Sequence, residues 1–208
     1  MLTTVLEILG IVSFAVSGAD KGIRKRLDLF GAYILALATC FGGGLLRDVI
    51  LGINPPLSFR SPRNLLIATA ATAIFLTRPL RKALRKNERL YELLLFLFDS
   101  LGLGVFTVMG VDVALTRAPW YGPVLPLFVG VITGVGGGVL RDILAGDIPQ
   151  IFVKHIYALA SLAGAVVCLA AWKLIGREPA VIAGTFVTFL IRCLSAHFRW
   201  NLPSADEK

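Results

Sequence analysis

The chain has 208 residues, of which 56% are hydrophobic and 16% charged, with a mean hydropathy of +0.79 and a formal net charge of +8. A soluble domain carries about 25% charged residues, so this composition excludes one. The basic excess does not indicate nucleic acid: Lys and Arg are packed into short connectors between apolar runs, as in loops that orient a membrane protein.

In chain order, the apolar runs predict spans at 2–19, 29–46, 64–77, 90–115, 123–140, 155–172 and 179–198. The first has no basic segment before it, so it reads as a span and not as a signal peptide. A basic connector with Lys21, Arg24, Lys25 and Arg26 follows it. Pro55, Pro56 and Pro62 break the chain after the second span. The third span is short, and Arg63 and Arg78 flank it. The richest basic cluster runs from Arg78 to Arg89. Asp99 and Asp112 sit inside the long fourth span, and Trp120 and Tyr121 follow it as interfacial aromatics. Arg192 lies inside the seventh. The three cysteines (Cys40, Cys168, Cys193) fall within apolar runs and read as packing residues.

Two motifs occur twice. Gly42-Gly43-Gly44-Leu45-Leu46-Arg47-Asp48 returns as Gly136-Gly137-Gly138-Val139-Leu140-Arg141-Asp142, each time followed by a further Gly and a Pro. Phe14-Ala15-Val16-Ser17-Gly18-Ala19-Asp20 is echoed by Phe106-Thr107-Val108-Met109-Gly110-Val111-Asp112. The fold expected is an all-α polytopic membrane protein of seven transmembrane helices. It forms a single membrane domain, with repeat one at 1–89, repeat two at 90–176, a seventh helix at 177–198 and a polar tail at 199–208. Three spans per repeat is odd, so the second repeat enters the membrane from the opposite side, as an inverted-topology pair. Loop basicity puts the N-terminus outside and the C-terminus in the cytoplasm of a cell (inner) membrane protein.

Three consecutive glycines cost about 1 kcal/mol each in a helix interior. Helices two and five are therefore expected to break at Gly-Gly-Gly, freeing backbone oxygens that favour cations where the break lines a wet cavity. The alternative is close helix packing through small residues, and both can hold together. Asp20, Asp99 and Asp112 join the candidates, because ionisable residues in spans are costly and usually functional. Asp20 and Asp112 are repeat mates; the alternative places both at the interface, beside Lys21 and Arg117. Adjacent side chains on a helix point about 100° apart, so Arg47 and Arg141 are expected to pair with carboxylates of the opposite repeat. An unpaired Arg would repel cations and suggest a gate or an anion site. No nucleophilic, cofactor-binding or fixed-metal constellation appears, and no enzyme is expected.

The doubled G-G-G-x-L-R-D on spans two and five of a three-plus-three-plus-one chain resembles the prokaryotic TRIC family of trimeric intracellular cation channels. Its domain was earlier labelled a glycine transporter or the uncharacterised UPF0126. The resemblance covers about residues 2–198. It implies a homotrimer with a pore in each subunit, lined by the second and fifth helices and helped by spans one and four. It implies conduction of potassium and sodium without a cofactor, the ions passing transiently near Gly42, Gly43, Gly44, Gly136, Gly137 and Gly138. Arg47, Asp48, Arg141 and Asp142 would be the charged positions beside them. A secondary transporter for a small solute such as glycine fits the same symmetry. Anionic lipid at Arg78–Arg89 is a further expected contact; nucleic acid is not a partner.

Overall fold

The computed structural model describes residues 2–84, 86–153 and 156–200. Arg85, Lys154, His155 and the tail 201–208 lie outside them. The elements are α1 (Leu2–Arg24), α2 (Leu29–Ile50), α3 (Leu57–Arg60), α4 (Pro62–Leu76), α5 (Arg78–Leu84), α6 (Glu88–Arg117), α7 (Val124–Leu144), α8 (Gln150–Val153), α9 (Ile156–Ile175) and α10 (Arg177–His197). A 3₁₀ turn at Pro119–Tyr121 joins α6 to α7. No strand occurs among the described residues.

Among the described residues six helices, α1, α2, α6, α7, α9 and α10, are long and apolar enough to cross a membrane. The expected third span, α4, has 15 residues. At 1.5 Å per residue it covers about 22 Å, less than the roughly 30 Å hydrocarbon core. Pro62 fixes its start, and Thr77 leaves the helical region at its end. In packing, α4 holds the place in the first half that α9 holds in the second: α4 lies on α1 and α2, and α9 on α6 and α7.

Helix ends follow local chemistry. The Asp28 carboxylate accepts from Gly31 N at 2.6 Å to start α2, and Asn87 Oδ1 accepts from Leu90 N at 3.1 Å to start α6. Both α2 and α7 stop in the same way. Gly52 and Gly146 take positive φ (65° and 71°), and the next residue donates back to an aspartate carbonyl: Ile53 N to Asp48 O, Asp147 N to Asp142 O.

The glycine triplets do not break their helices, contrary to the sequence expectation. α2 is one helix from Leu29 to Ile50 and α7 one from Val124 to Leu144. The absent side chains serve a crossing. A methyl group added at Gly43 would lie 2.1 Å from the Thr133 carbonyl oxygen, and one at Gly137 would lie 2.2 Å from that of Thr39. One at Gly136 would stand 3.2 Å from Gly43 Cα. Backbone thus meets backbone where α2 and α7 cross, and this packing offsets the helix penalty. In lipid the penalty is also softer, since unravelled backbone finds no water to bind. Beneath the crossing Phe14 is fully buried and packs on its repeat mate Phe106, with ring centroids 5.0 Å apart.

Polarity is distributed inside out. Large apolar side chains such as Phe30, Val49, Leu66, Ile74 and Phe186 face outward. Asp20, Arg47, Asp48, Asp99, Asp112, Arg141, Asp142 and Arg192 are buried. That is the pattern of a chain solvated by lipid, with its charges gathered inside.

Candidate ion pathway

Each repeated Arg-Asp pair is one turn from the end of its helix, facing the short segment that follows. In the first half Arg47 Nε donates to Asp48 Oδ1 at 2.8 Å, and Asp48 Oδ2 accepts from Leu57 N at 2.7 Å. In the second, Arg141 Nε donates to Asp142 Oδ1 at 3.0 Å, and Asp142 Oδ2 accepts from Gln150 N at 3.0 Å. The aspartate ties the next short helix back to the long one, and the arginine neutralises it where it is buried.

This corrects the expected cross-repeat pairing of Arg47 and Arg141. Each guanidinium takes its own neighbour. The backbone N–H of the following segment pulls the Asp side chain to one side, and the longer Arg folds toward it through Nε. The cross-repeat contacts are different ones. Arg141 Nη1 donates to Ser17 Oγ of α1, and Lys21 Nζ stands 3.2 Å from Asp142 and 2.7 Å from Asp147. Lys25 also donates to Asp147. Those two lysines hold the Asp147 carboxyl below the usual carboxylate range, at about 2.

Asp99 belongs with Arg141. Its Oδ1 accepts from Arg141 Nη1 at 2.8 Å and from Ser17 at 3.2 Å. Asp20 and Asp112 are not brought together; they mark opposite ends of the molecule. Asp20 accepts from Arg24 and Tyr91, and Arg24 reaches on to Glu92 at 2.6 Å. Asp112 takes both forks of Arg177, at 2.6 and 2.8 Å. Both are buried, with Arg24 and Arg177 as partners, not Lys21 and Arg117.

A cavity of about 250 Å³ enters from the Arg24–Glu92 end and reaches Ser17, Asp99, Arg141 and Arg192. Further in, the triplets are packed. Methyl groups at Gly42 and Gly136 would meet Leu140 Cδ1 at 2.4 Å and Leu46 Cδ1 at 2.9 Å. Beyond the crossing lie Arg47 and Asp48, and toward the α1 N-terminus Glu7 accepts from Asn64 at 2.8 Å and from Arg63 at 3.2 Å. Two groups of charges therefore flank a tight glycine waist.

Sequence reading missed Ser17, Lys21, Glu92 and Tyr157 as members of this site, and it placed Arg192 in a span without a role. A signal existed for Glu7 and Asp99, which stand seven residues before Phe14 and Phe106 and so are repeat mates.

Taken together, the fold and site define a multi-pass helical membrane protein, built on a doubled unit, with several of its charged side chains around one internal cavity. The glycine transporter family profile matches the chain twice, at residues 4–79 and 96–173. The inner membrane protein YadS of Escherichia coli K12 (UPF0126) is 36% identical, over 98% of this chain and 96% of its own length. A prokaryotic TRIC channel solved in 0.5 M KCl superposes with a TM-score of 0.86 at 29% identity, covering 97% of this chain and 99% of that one. The TRIC orthologue of Rhodobacter sphaeroides gives 0.81 at 32% identity, covering 95% and 98%. The chain belongs to the prokaryotic TRIC family, which carries the glycine transporter and UPF0126 labels.

Proposed function

We propose that the protein is a cation channel, permeable to potassium and sodium, with its pathway inside each subunit between α1, α2, α6 and α7. The observation that carries this reading is the cavity that leads from the Arg24–Glu92 end to buried Asp99 and Arg141, the latter one helical turn past the glycine waist at Gly137. Buried charge in a lipid-facing chain is costly, and a water-filled route gives it a use. The TRIC structures it matches are described as cation channels, which supports the same reading.

On this reading the waist at Gly42–Gly44 and Gly136–Gly138 is shut in the present conformation, and ions pass it transiently when α2 and α7 shift against one another. Asp20 and Asp112 serve the two mouths. Repeat one (1–89) and repeat two (90–176) are related by a two-fold axis in the membrane plane, and α10 is added to the pair. The protein acts as a homotrimer in the cell (inner) membrane, with its N-terminus outside and C-terminus in the cytoplasm. Arg78, Arg81, Lys82, Lys86 and Arg89 face anionic lipid there. Beside them an apolar groove of about 610 Å³, walled by Ile74, Phe75, Leu84 and Phe98, suits an acyl chain.

Recording of purified protein in a planar bilayer tests the function. Unitary steps above about a million ions per second are expected, faster than any μs–ms alternating cycle. Saturable glycine uptake without unitary current would establish a transporter in place of a channel.

A further inference from the structure

Arg192 is nine-tenths buried in the cavity wall, on the one long helix that has no repeat mate. Its guanidinium lies between two rings, 5.0 Å from the centre of Phe96 and 4.7 Å from that of Tyr157. Its Nε has no hydrogen-bond partner, and no carboxylate of the described residues forms an ion pair with it. Asp99 is within electrostatic reach, but its Oδ1 is committed to Arg141 and Ser17. Asp99 Oδ2 and Tyr157 Oη are buried beside Arg192, and the tyrosine hydroxyl stands near the Asp99 carboxylate.

Aromatic faces hold a cation without cancelling its charge. A carboxylate cancels it, as Asp99 and Asp142 do for Arg141. At the cavity mouth Arg24 is shared between Asp20 and Glu92, while Lys21 on the same wall is turned to Asp142 and Asp147, so the two carboxylates Asp20 and Glu92 face a single guanidinium there. Deeper in, Arg192 opposes cations through a medium of low dielectric, where a charge reaches far.

We propose that Arg192 is a specificity-determining residue of the cation pathway. Its uncancelled charge limits cation entry from the Arg24–Glu92 side and makes the two directions of flow unequal. The inference rests on the channel reading. The opposite end has no counterpart to it, because α10 lies outside the repeat.

The test is single-channel recording of the full chain in planar bilayers, in KCl at about 0.05 M and about 1 M. R192Q removes the charge. R192M does the same with a side chain that suits the two rings. Both should raise potassium current from the cavity side about threefold or more at low salt, and the gain should fade at high salt, where screening is nearly complete. R192K keeps the charge and should rectify as the wild type does. Unchanged currents in both neutral variants, a gain independent of salt, or a lysine variant that behaves like glutamine would overturn the proposal. Should neither neutral variant fold, the wild type decides: its own rectification must shrink between low and high salt, and a constant asymmetry sinks the idea. A wild type with no unitary current would remove the channel reading, and this inference with it.

Discussion

The two Arg-Asp pairs share their wiring and differ in their surroundings. Arg47–Asp48 and Arg141–Asp142 both close an Nε–Oδ1 contact, and both aspartates accept from the backbone of the segment that follows. Arg141 alone also reaches a second carboxylate, that of Asp99, together with Ser17. The mate of Asp99 is Glu7, which turns to Arg63 and Asn64 instead. The mates of Ser17 and Lys21 are Met109 and Val113, which offer neither a strong donor nor a charge. The motif is thus a structural fastener common to both halves. What each half does with its arginine is decided by α1 and α6.

The largest expected effect should be equal in the two halves. Gly43→Leu and Gly137→Leu each force a side chain into a carbonyl about 2 Å away, and each should cost more than about 4 kcal/mol or abolish folding, as read by thermal unfolding in detergent. The third glycines are roomier: methyl groups at Gly44 and Gly138 would stand 3.2 Å from Ser58 Oγ and Tyr157 Oη, with Arg47 Nη2 and Arg141 Nη2 at 3.7 and 3.8 Å. Gly44→Ala and Gly138→Ala should stay within about 1 kcal/mol of wild type. A mild Gly43→Leu would refute the backbone crossing.

Next comes the point where the halves diverge. Asp99→Asn leaves Arg141 with one fewer carboxylate in a buried site and should destabilise by about 3–5 kcal/mol. Glu7→Gln, at a half-exposed pair, should cost under about 1 kcal/mol. Equal losses in melting experiments would mean that the two ends are wired alike after all. Smaller again is the link between halves through Lys21 and Asp142. A double-mutant cycle with Lys21→Met and Asp142→Asn should show coupling of about 1 kcal/mol, and none if the lysine is merely nearby.

The smallest effect is a pH dependence. The carboxyl of Asp147 is held at about 2 by Lys21 and Lys25, below its ordinary value, so its stabilising contribution is full above about pH 4 and is lost as pH falls through about 2. Wild type and Asp147→Asn should therefore differ in melting temperature at neutral pH and converge near pH 2; a gap that persists there would show that the aspartate acts otherwise than through its charge.

Much of this arrangement was legible in the residues. Six of the seven expected spans are long helices, and the doubled motifs mark positions that are equivalent in their contacts. Asp99 and Asp112 lie inside an apolar run and are buried, and Asp20, at the edge of the first run, is buried too, against the alternative that put it and Asp112 at the interface. The break at the glycines was misread because helix propensity weighs a residue against its own chain; the alternative reading, close packing through small residues, is what the crossing shows. Gly43 and Gly137 are instead determined by what crosses them, and no local rule reports that. The Arg-Asp pairs were misread because helical spacing ignored the backbone donors Leu57 and Gln150, which lie nine and eight residues downstream and draw each carboxylate aside. Arg192 was visible but lay outside the repeat that organised the reading.

Where α2 and α7 cross, they touch largely through hydrogens on bare backbone. Interlocked side chains make a helix climb over its neighbour's ridges when it shifts lengthwise. Here the ridges are few, chiefly Leu140 seated on Gly42 and Leu46 on Gly136. The contact resists being pulled apart far more than it resists gliding, so any rearrangement of the waist has its easiest direction along the helix axes.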